Sequence, residues 1–298
     1  MALQMGSMNS PTNVETAVDP CSLQIRDLIY QIAGIYQPDN RLRLLEERCG
    51  RRMQAVGAKS LREYYDVLTV HAARTTEMHL LLNEITIGET CFFRNMPQLD
   101  AMQKLILPMI VSNKERLPIR TIRIWSAGCS TGEEPYTLAM LLMEQTLGLL
   151  KGWSFEVIAT DLNDRSLDRA QKAIYGEYAV RNMPGYFRSK YGTAVGDEWQ
   201  VNDLVRSKVS FSRINLLDDS RMAFMKGIDI IFCCNVLIYF DNASKRRVIQ
   251  HFYNNLLTNS YLFLGHSESL FGVNDEFRLV HLPGATAYLK TGQRTGGR

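Results

Sequence analysis

The segment Trp125-Ser-Ala-Gly-Cys-Ser-Thr-Gly-Glu-Glu-Pro-Tyr-Thr-Leu138 holds the residue types best suited to gripping a ligand. Gly128 and Gly132 let a backbone turn tightly and come close to a bound group. Glu133 and Glu134 fall where the first turn of a helix is expected, and the helix dipole favours carboxylates there. Pro135 suits that turn because its N–H groups have no intrahelical partner. The pattern G-x-x-x-G is neither the dinucleotide G-x-G-x-x-G nor a P-loop ending in G-K-[ST]. There is no lysine for a triphosphate, and two glutamates oppose a phosphate. Taken alone, both glutamates read equally well as ordinary helix-start residues.

Asp161 adds a second acid. It ends the β-rich run FEVIATD (155–161), and a carboxylate at the tip of a second strand can accept hydrogen bonds from both ribose hydroxyls. Its spacing from Gly132 exceeds the roughly 20 residues of the dinucleotide fingerprint, because the intervening helix is long. An acid for ribose, no phosphate features and an acidic first turn point to a cationic, phosphate-free adenosine, S-adenosylmethionine (SAM). Glu134 would receive its positive groups.

These residues need elements to position them. Apolar residues at helical spacing mark a first helix (Ile25, Leu28, Ile29, Ile32, Tyr36) and a second (Leu42, Leu45, Cys49, Met53). Ser60-x-x-Glu63 is a capping box for a third helix bearing Leu61, Tyr64, Tyr65 and Leu68. Met78, Leu81, Leu82 and Ile85 mark a fourth. Residues 21–86 therefore form a helical domain, and 87–120 a linker with a connecting helix. That helix should be capped by Asn95, start at Pro97 and end or kink at Pro108. From 121 to 290 the short runs TIRIWSA, FEVIATD, VSFSRIN, IDIIFCCN, YLFLGHS and ATAYLK alternate with helical segments. That rhythm predicts an α/β domain with a mostly parallel sheet covered on both faces. Residues 174–207 break the alternation, and their length and Gly/Tyr content predict an inserted antiparallel β-subdomain turning near Gly192 and Gly196. Residues 1–20 and 291–298 read as polar, flexible tails.

The composition narrows the function classes. Of 298 residues 46% are apolar, enough for one large core or two smaller ones, and the net charge of +3 gives no argument for nucleic acid. No apolar run is long enough for a bilayer, and no secretion signal is visible. Six cysteines without a C-x-x-C pair, and five histidines without ligand spacing, predict no metal and a reducing cytoplasm. A monomer is expected.

Six stretches in order, GETCFFRN (88–95), SAGCSTGEEPYTLA (126–139), ATDLNDRSLDRA (159–170), FSRINLL (211–217), IIFCCNVLIYF (230–240) and LFLGHSESL (262–270), resemble the chemotaxis receptor methyltransferases, the CheR family. The resemblance implies a helical N-terminal domain joined to a Rossmann-like, seven-stranded SAM-dependent methyltransferase domain. It implies transfer of methyl groups to glutamate side chains on the cytoplasmic helices of chemoreceptors, leaving S-adenosylhomocysteine (SAH). Carried over by position, cofactor contacts fall on Thr90, Arg94, Glu134, Asp161, Asn215, Leu216, Cys234 and Asn235. Cys234 stands where the family commonly has Arg. Gly88 stands where many members have Asn, so both would contact through the backbone. The insert matches the region with which some members bind a receptor C-terminal peptide.

A substrate glutamate is already ionised at neutral pH. The chemistry then asks for orientation, and Arg94 and Tyr239 are the catalytic candidates. Without the resemblance they read as a surface ion pair and a packed ring. Arg41, Arg43, Arg48, Arg51, Arg52, Lys59 and Arg62 give the second and third helices a basic face that would steer an acidic substrate helix, or be an ordinary solvated face. Three rival readings are a methyltransferase for another substrate, a hydrolase using Gly265-His-Ser-Glu-Ser269 as an imperfect nucleophile elbow, and a cofactor-binding adaptor without catalysis.

Overall fold

The computed structural model describes residues 19–86, 88–115 and 117–292. The tails expected at 1–20 and 291–298 therefore lie almost wholly outside the described residues, as do two positions of the expected linker, Ile87 and Arg116.

The helical domain comprises α1 (Pro20–Ala33), a 3-10 turn (Asp39–Arg41), α2 (Leu42–Val56), α3 (Leu61–Thr69) and α4 (Arg74–Ile85). Asp19 caps α1 by accepting from the Cys21 N–H at 2.8 Å, and Gly34 ends it in the left-handed region at φ +66°. Ile25, Ile29, Ala33, Leu42, Leu45, Cys49, Tyr64, Leu68, Met78, Leu81 and Leu82 form one core. Ile32 and Tyr36 are 40% and 53% exposed, so Ala33 takes the inward position expected of Ile32. In the capping box Ser60 Oγ accepts from the Glu63 N–H at 3.2 Å, while the Glu63 carboxylate accepts from Lys59 N–H rather than that of Ser60.

The connecting helix runs through α5 (Met96–Ala101), a π-turn (Met102–Ile106) and α6 (Leu107–Lys114). Pro108 therefore does not end it. The wider π-turn relieves the clash a proline ring makes with the preceding turn. Asn95 does not cap by its side chain. It is left-handed (φ +59°), and its carbonyl accepts from Gln98 N–H at 2.9 Å.

The second domain has β1 (Thr121–Ala127), α7 (Glu133–Gln145), β2 (Ser154–Asp161) and α8 (Asp164–Lys172). The insert follows with β3 (Ile174–Tyr175), α9 (Glu177–Val180), α10 (Gly185–Tyr191), β4 (Gly192–Val195), β5 (Glu198–Val201) and α11 (Asp203–Arg206). Then come β6 (Val209–Arg213), α12 (Asp219–Met222), β7 (Ile228–Cys233), a 3-10 turn (Leu237–Tyr239), α13 (Asn242–Asn255), β8 (Leu256–Leu264), β9 (Phe277–Leu282) and β10 (Ala285–Lys290). The large sheet has the order β6-β2-β1-β7-β8-β10-β9. The strands from β6 to β8 are parallel, and β10 pairs antiparallel with both β8 and β9. Along β7, Ile230 and Phe232 enter the core shared with the connecting helix, α7 and the insert, while Ile231 and Cys233 enter that shared with α13. The alternation is that of a doubly covered sheet. In the insert β3, β5 and β4 form the expected antiparallel sheet, turning at Gly196 (φ +61°). Gly192 is not at the turn. It opens β4 in extended conformation, where a Cβ would lie 2.3 Å from the Trp199 ring.

Candidate cofactor site

β1 and β2 run parallel and end side by side, placing the glycine loop next to Asp161. The N–H groups of Gly128 and Cys129 donate to the Thr160 carbonyl at 2.7 and 2.9 Å, drawing the loop onto β2. Gly128 has φ +79°, and a Cβ on it would lie 2.4 Å from a Val236 methyl, so glycine is required. Beyond it Ser130, itself at φ +50°, donates its N–H to Asp161 Oδ2 at 2.8 Å. Asn163 N–H donates to the other oxygen at 2.8 Å. Burial pushes the Asp161 carboxyl above the ordinary carboxylate range, against these backbone donors. Each oxygen keeps a lone pair for a ligand hydroxyl.

The two glutamates of the loop separate. Glu133 is buried and accepts from Thr131 Oγ1 at 2.7 Å. Glu134 lines a cavity of about 290 Å³. Its carboxylate accepts from Ser126 Oγ at 2.7 Å. Burial raises its pKa, while Ser126, Cys234 and the charge of Arg94 oppose the rise. No ion pair to it is formed among the described residues. A half-buried carboxylate without a bonded cation is able to receive a positive ligand group.

Gly88, Thr90, Arg94, Asp161, Asn215, Leu216, Cys234, Asn235 and Tyr239 line the same cavity as Glu134. Several differ in detail from the expectation. Asn215 turns its side chain away, donating to the Ile32 carbonyl at 2.6 Å and accepting from Leu217 N–H at 3.0 Å, so it ties the sheet to the end of α1. Gly88 sits against Ser130, whose Oγ would lie 2.5 Å from a Cβ. Ser130 Oγ is itself buried with no hydrogen-bond partner among the described residues. Arg94 is exposed and donates to the Glu89 carbonyl at 2.6 Å. The Tyr239 carbonyl accepts from Tyr36 N–H at 2.8 Å, beside a bridge between Ile35 and Phe240. Ala33 and Ile35 thereby close one side of the cavity from the helical domain.

The expected basic face loses one member. Arg52 has only 12% of its side chain exposed and forms two hydrogen bonds with buried Glu77, which also accepts from Tyr64 Oη. It holds α2 to α4 and is not available to a partner. Arg41, Arg43, Arg51, Lys59 and Arg62 are exposed and Arg48 is half-buried. Arg51 and Arg62 make loose pairs with Glu84 and Asp66 at 3.5 and 3.6 Å.

Three contributors escaped the sequence reading. Gln98 donates to the Leu264 carbonyl at 2.6 Å and lines the cavity beside Cys234. Asn163 buttresses Asp161. Glu268 folds back from the Gly265–Ser269 turn and accepts N–H groups from Gly265 at 2.7 Å, Asn235 at 2.8 Å and Ile238 at 3.3 Å. Asn235 has φ +62°, which that anchor holds. No helix follows Ser267, so the turn is not a nucleophile elbow. Among the described residues no His/Cys/Asp/Glu group has a metal-binding arrangement.

Two carboxylates and an unpartnered hydroxyl around one cavity suit a ligand that carries hydroxyl groups and a positive charge, as SAM does. Residues 23–86 match the family model described as the CheR methyltransferase all-alpha domain, and 88–286 that of its SAM-binding domain. The chain belongs to the CheR methyltransferase family. It is 34% identical to Chemotaxis protein methyltransferase 2 of Vibrio cholerae over 93% of this chain and 94% of that one. It is 33% identical to the Chemotaxis protein methyltransferase of Borreliella burgdorferi, over 87% of this chain and 91% of that one. Chemotaxis protein methyltransferase 1 of Pseudomonas aeruginosa is 32% identical over 86% and 92%. The CheR domain boundary between 86 and 88 falls at the end of α4, where the chain enters the cavity wall. The protein is thus a methyltransferase built on a SAM-binding domain, and no helix among the described residues is long and apolar enough to cross a membrane.

Proposed function

We propose that the protein methylates glutamate side chains on the cytoplasmic helices of chemoreceptors, giving the methyl esters of sensory adaptation. The observation that carries this reading is the lining of the cavity. Arg94 is its one basic side chain among the described residues, with no histidine or lysine. Its acids are engaged: Asp161 and Glu134 face the cofactor's place, and Glu89 accepts from Tyr178 Oη. Such a site lacks a spare base to deprotonate an amine or alcohol. It suits an acceptor that is already an anion, and a glutamate with a reference pKa near 4.3 is one.

SAM, when bound, supplies a methyl group on a sulfonium that leaves as a neutral thioether. In this reading Asp161 accepts from the ribose hydroxyls, Ser130 Oγ lies beside it for a further bond, and Glu134 takes the ammonium. Leu216 and Asn235 contribute backbone contacts. Arg94 is the group that holds the incoming carboxylate, and Tyr239, on the turn after β7 that lines the same cavity, is a second contact to it. Catalysis then rests on alignment and on exclusion of water. The basic side chains of α2 and α3, without Arg52, face the acidic receptor helix. The outer edge of β4, which pairs on one side with β5, is the place for a receptor C-terminal peptide to add as a strand.

The test is methyl transfer from labelled SAM to a purified receptor cytoplasmic fragment. The expected result is label on the fragment that mild alkali releases as methanol, as an ester requires. Label on tRNA or DNA instead, alkali-stable label, or none, would reject the reading.

A further inference from the structure

Asp161 does not stand alone, and the way it is held reaches the helical domain. Asn163 is 5% exposed and Asn83, at the end of α4, is 6% exposed. The two are cross-linked: Asp164 N–H donates to Asn83 Oδ1 at 3.0 Å, while Asn163 Nδ2 donates to the Asn83 carbonyl at 3.0 Å. The same nitrogen lies 2.8 Å from the Thr86 carbonyl and 3.0 Å from Thr86 Oγ1. Two amide protons thus serve three acceptors, one of them shared. The other end of the carboxamide, Oδ1, accepts from Ser166 N–H at 3.1 Å and caps α8. This network fixes the orientation of the amide, because a flip would place its oxygen against two carbonyls.

We infer that Asn163 is a positioning residue for the cofactor, locking the cavity wall that follows α4 to the loop that presents Asp161. A cap for α8 needs only Oδ1. The Nδ2 edge makes no contribution to α8 and goes entirely to Asn83 and Thr86. Thr86 lines the cavity, as do Gly88, Glu89, Thr90 and Cys91 after it. The Thr86 hydroxyl is itself aimed by donating to the Leu82 carbonyl at 2.7 Å. Asn163 N–H meanwhile holds Asp161 Oδ1. One residue therefore sets the separation of two walls that belong to different domains. A displacement of α4, the helix to which α2 is tied through Arg52 and Glu77, reaches Asp161 by this route. The inference rests on the assignment of Asp161 to the ribose.

Calorimetry with SAH on the full chain, comparing wild type, Asp161→Ala and Asn163→Ser, tests it. Serine is a good helix cap but too short to reach Thr86. The expected result is a cooperative thermal transition for Asn163→Ser with SAH binding weakened at least fivefold, and a loss of at least tenfold for Asp161→Ala. SAH affinity within twofold of wild type for Asn163→Ser, with Asp161→Ala weakened, would overturn the inference and leave the ribose assignment standing. Unchanged affinity in Asp161→Ala would remove both. If Asn163→Ser does not fold, Asn163→Thr is judged by the same limits. Failure of both to fold would also overturn it, since the contact would then hold the fold rather than the ligand.

Discussion

Arg52 and Glu77 face each other across α2 and α4 through two hydrogen bonds of 2.9 and 2.8 Å, with Tyr64 Oη a third donor-side partner at 2.8 Å. Removing one partner of a buried pair leaves an uncompensated charge, at a cost of about 3–5 kcal/mol. Arg52→Ala should therefore lower stability by that order in urea denaturation. Arg51→Ala, whose partner Glu84 is 3.5 Å away and whose own side chain is 57% exposed, should cost no more than about 1 kcal/mol. Equal losses would show that the helical domain does not depend on the Arg52 pair.

The acid of the cofactor cavity gives a pH signature with two opposite signs. Burial raises the Glu134 carboxyl above the ordinary carboxylate range. In the window between that range and its raised value, the free folded protein holds a proton that the unfolded chain has lost. The contribution of Glu134 to stability is therefore present at lower pH and lost as pH rises through the folded pKa. Binding of an ammonium group needs the carboxylate, so SAH affinity should fall as pH drops through the same window, by up to about tenfold per unit. Glu134→Gln should remove the Glu134 part of both profiles and leave the part due to Asp161, whose carboxyl burial also raises. Calorimetry and thermal melts across mildly acidic pH measure them, and a pH-independent SAH affinity in wild type would remove Glu134 from the ammonium site.

Arg94 is held by the Glu89 carbonyl with its guanidinium at the cavity. Arg94→Ala should lower kcat on a receptor fragment roughly 10- to 160-fold, equivalent to about 1.5–3 kcal/mol in the barrier, the scale of hydrogen bonds to charged groups. Arg94→Lys should recover little, because a lysine cannot offer the paired donors. Full activity in Arg94→Lys would show that charge alone matters there.

How much of this could be read from the chain depends on whether the residue acts locally. The strand-loop-helix around Gly128 and Gly132, and Asp161 at the tip of β2, were legible because each is a local pattern. β9 escapes sequence patterning because FRLVHL (277–282) is an edge strand in which only Phe277 is buried and Val280 and Leu282 are half-buried, without a long apolar run. Arg52 was misplaced because the helix periodicity places it one position from exposed Arg51, while its partner Glu77 lies in another helix. Asn163, Asn215 and Glu268 act through backbone groups of segments far away in the chain, and no spacing rule reports such bonds. Pro108 reads as an end or a kink, and the helix instead continues past it after a π-turn, which leaves no simple mark in composition.

Glu268 offers a further check on that hidden layer. Its Oε2 accepts from Asn235 and Gly265, and its Oε1 from Ile238, next to Tyr239. Glu268→Gln can keep the first two bonds and loses the third. It should leave SAH affinity within about threefold while kcat falls, a shift under ~0.7 kcal/mol in binding. Glu268→Ala frees Asn235 from its anchor at φ +62° and should weaken SAH as well. Identical behaviour of the two variants would show that Glu268 does no more than close the turn.

The most direct test is a crystal structure of the protein with SAH. The ribose hydroxyls should lie within hydrogen-bond distance of the Asp161 carboxylate, with the amino group at Glu134 and the sulfur directed toward Arg94 and Tyr239. A purine seated outside the cavity, or an Asp161 carboxylate still bonded to nothing but the Ser130 and Asn163 amides, would contradict the assignment.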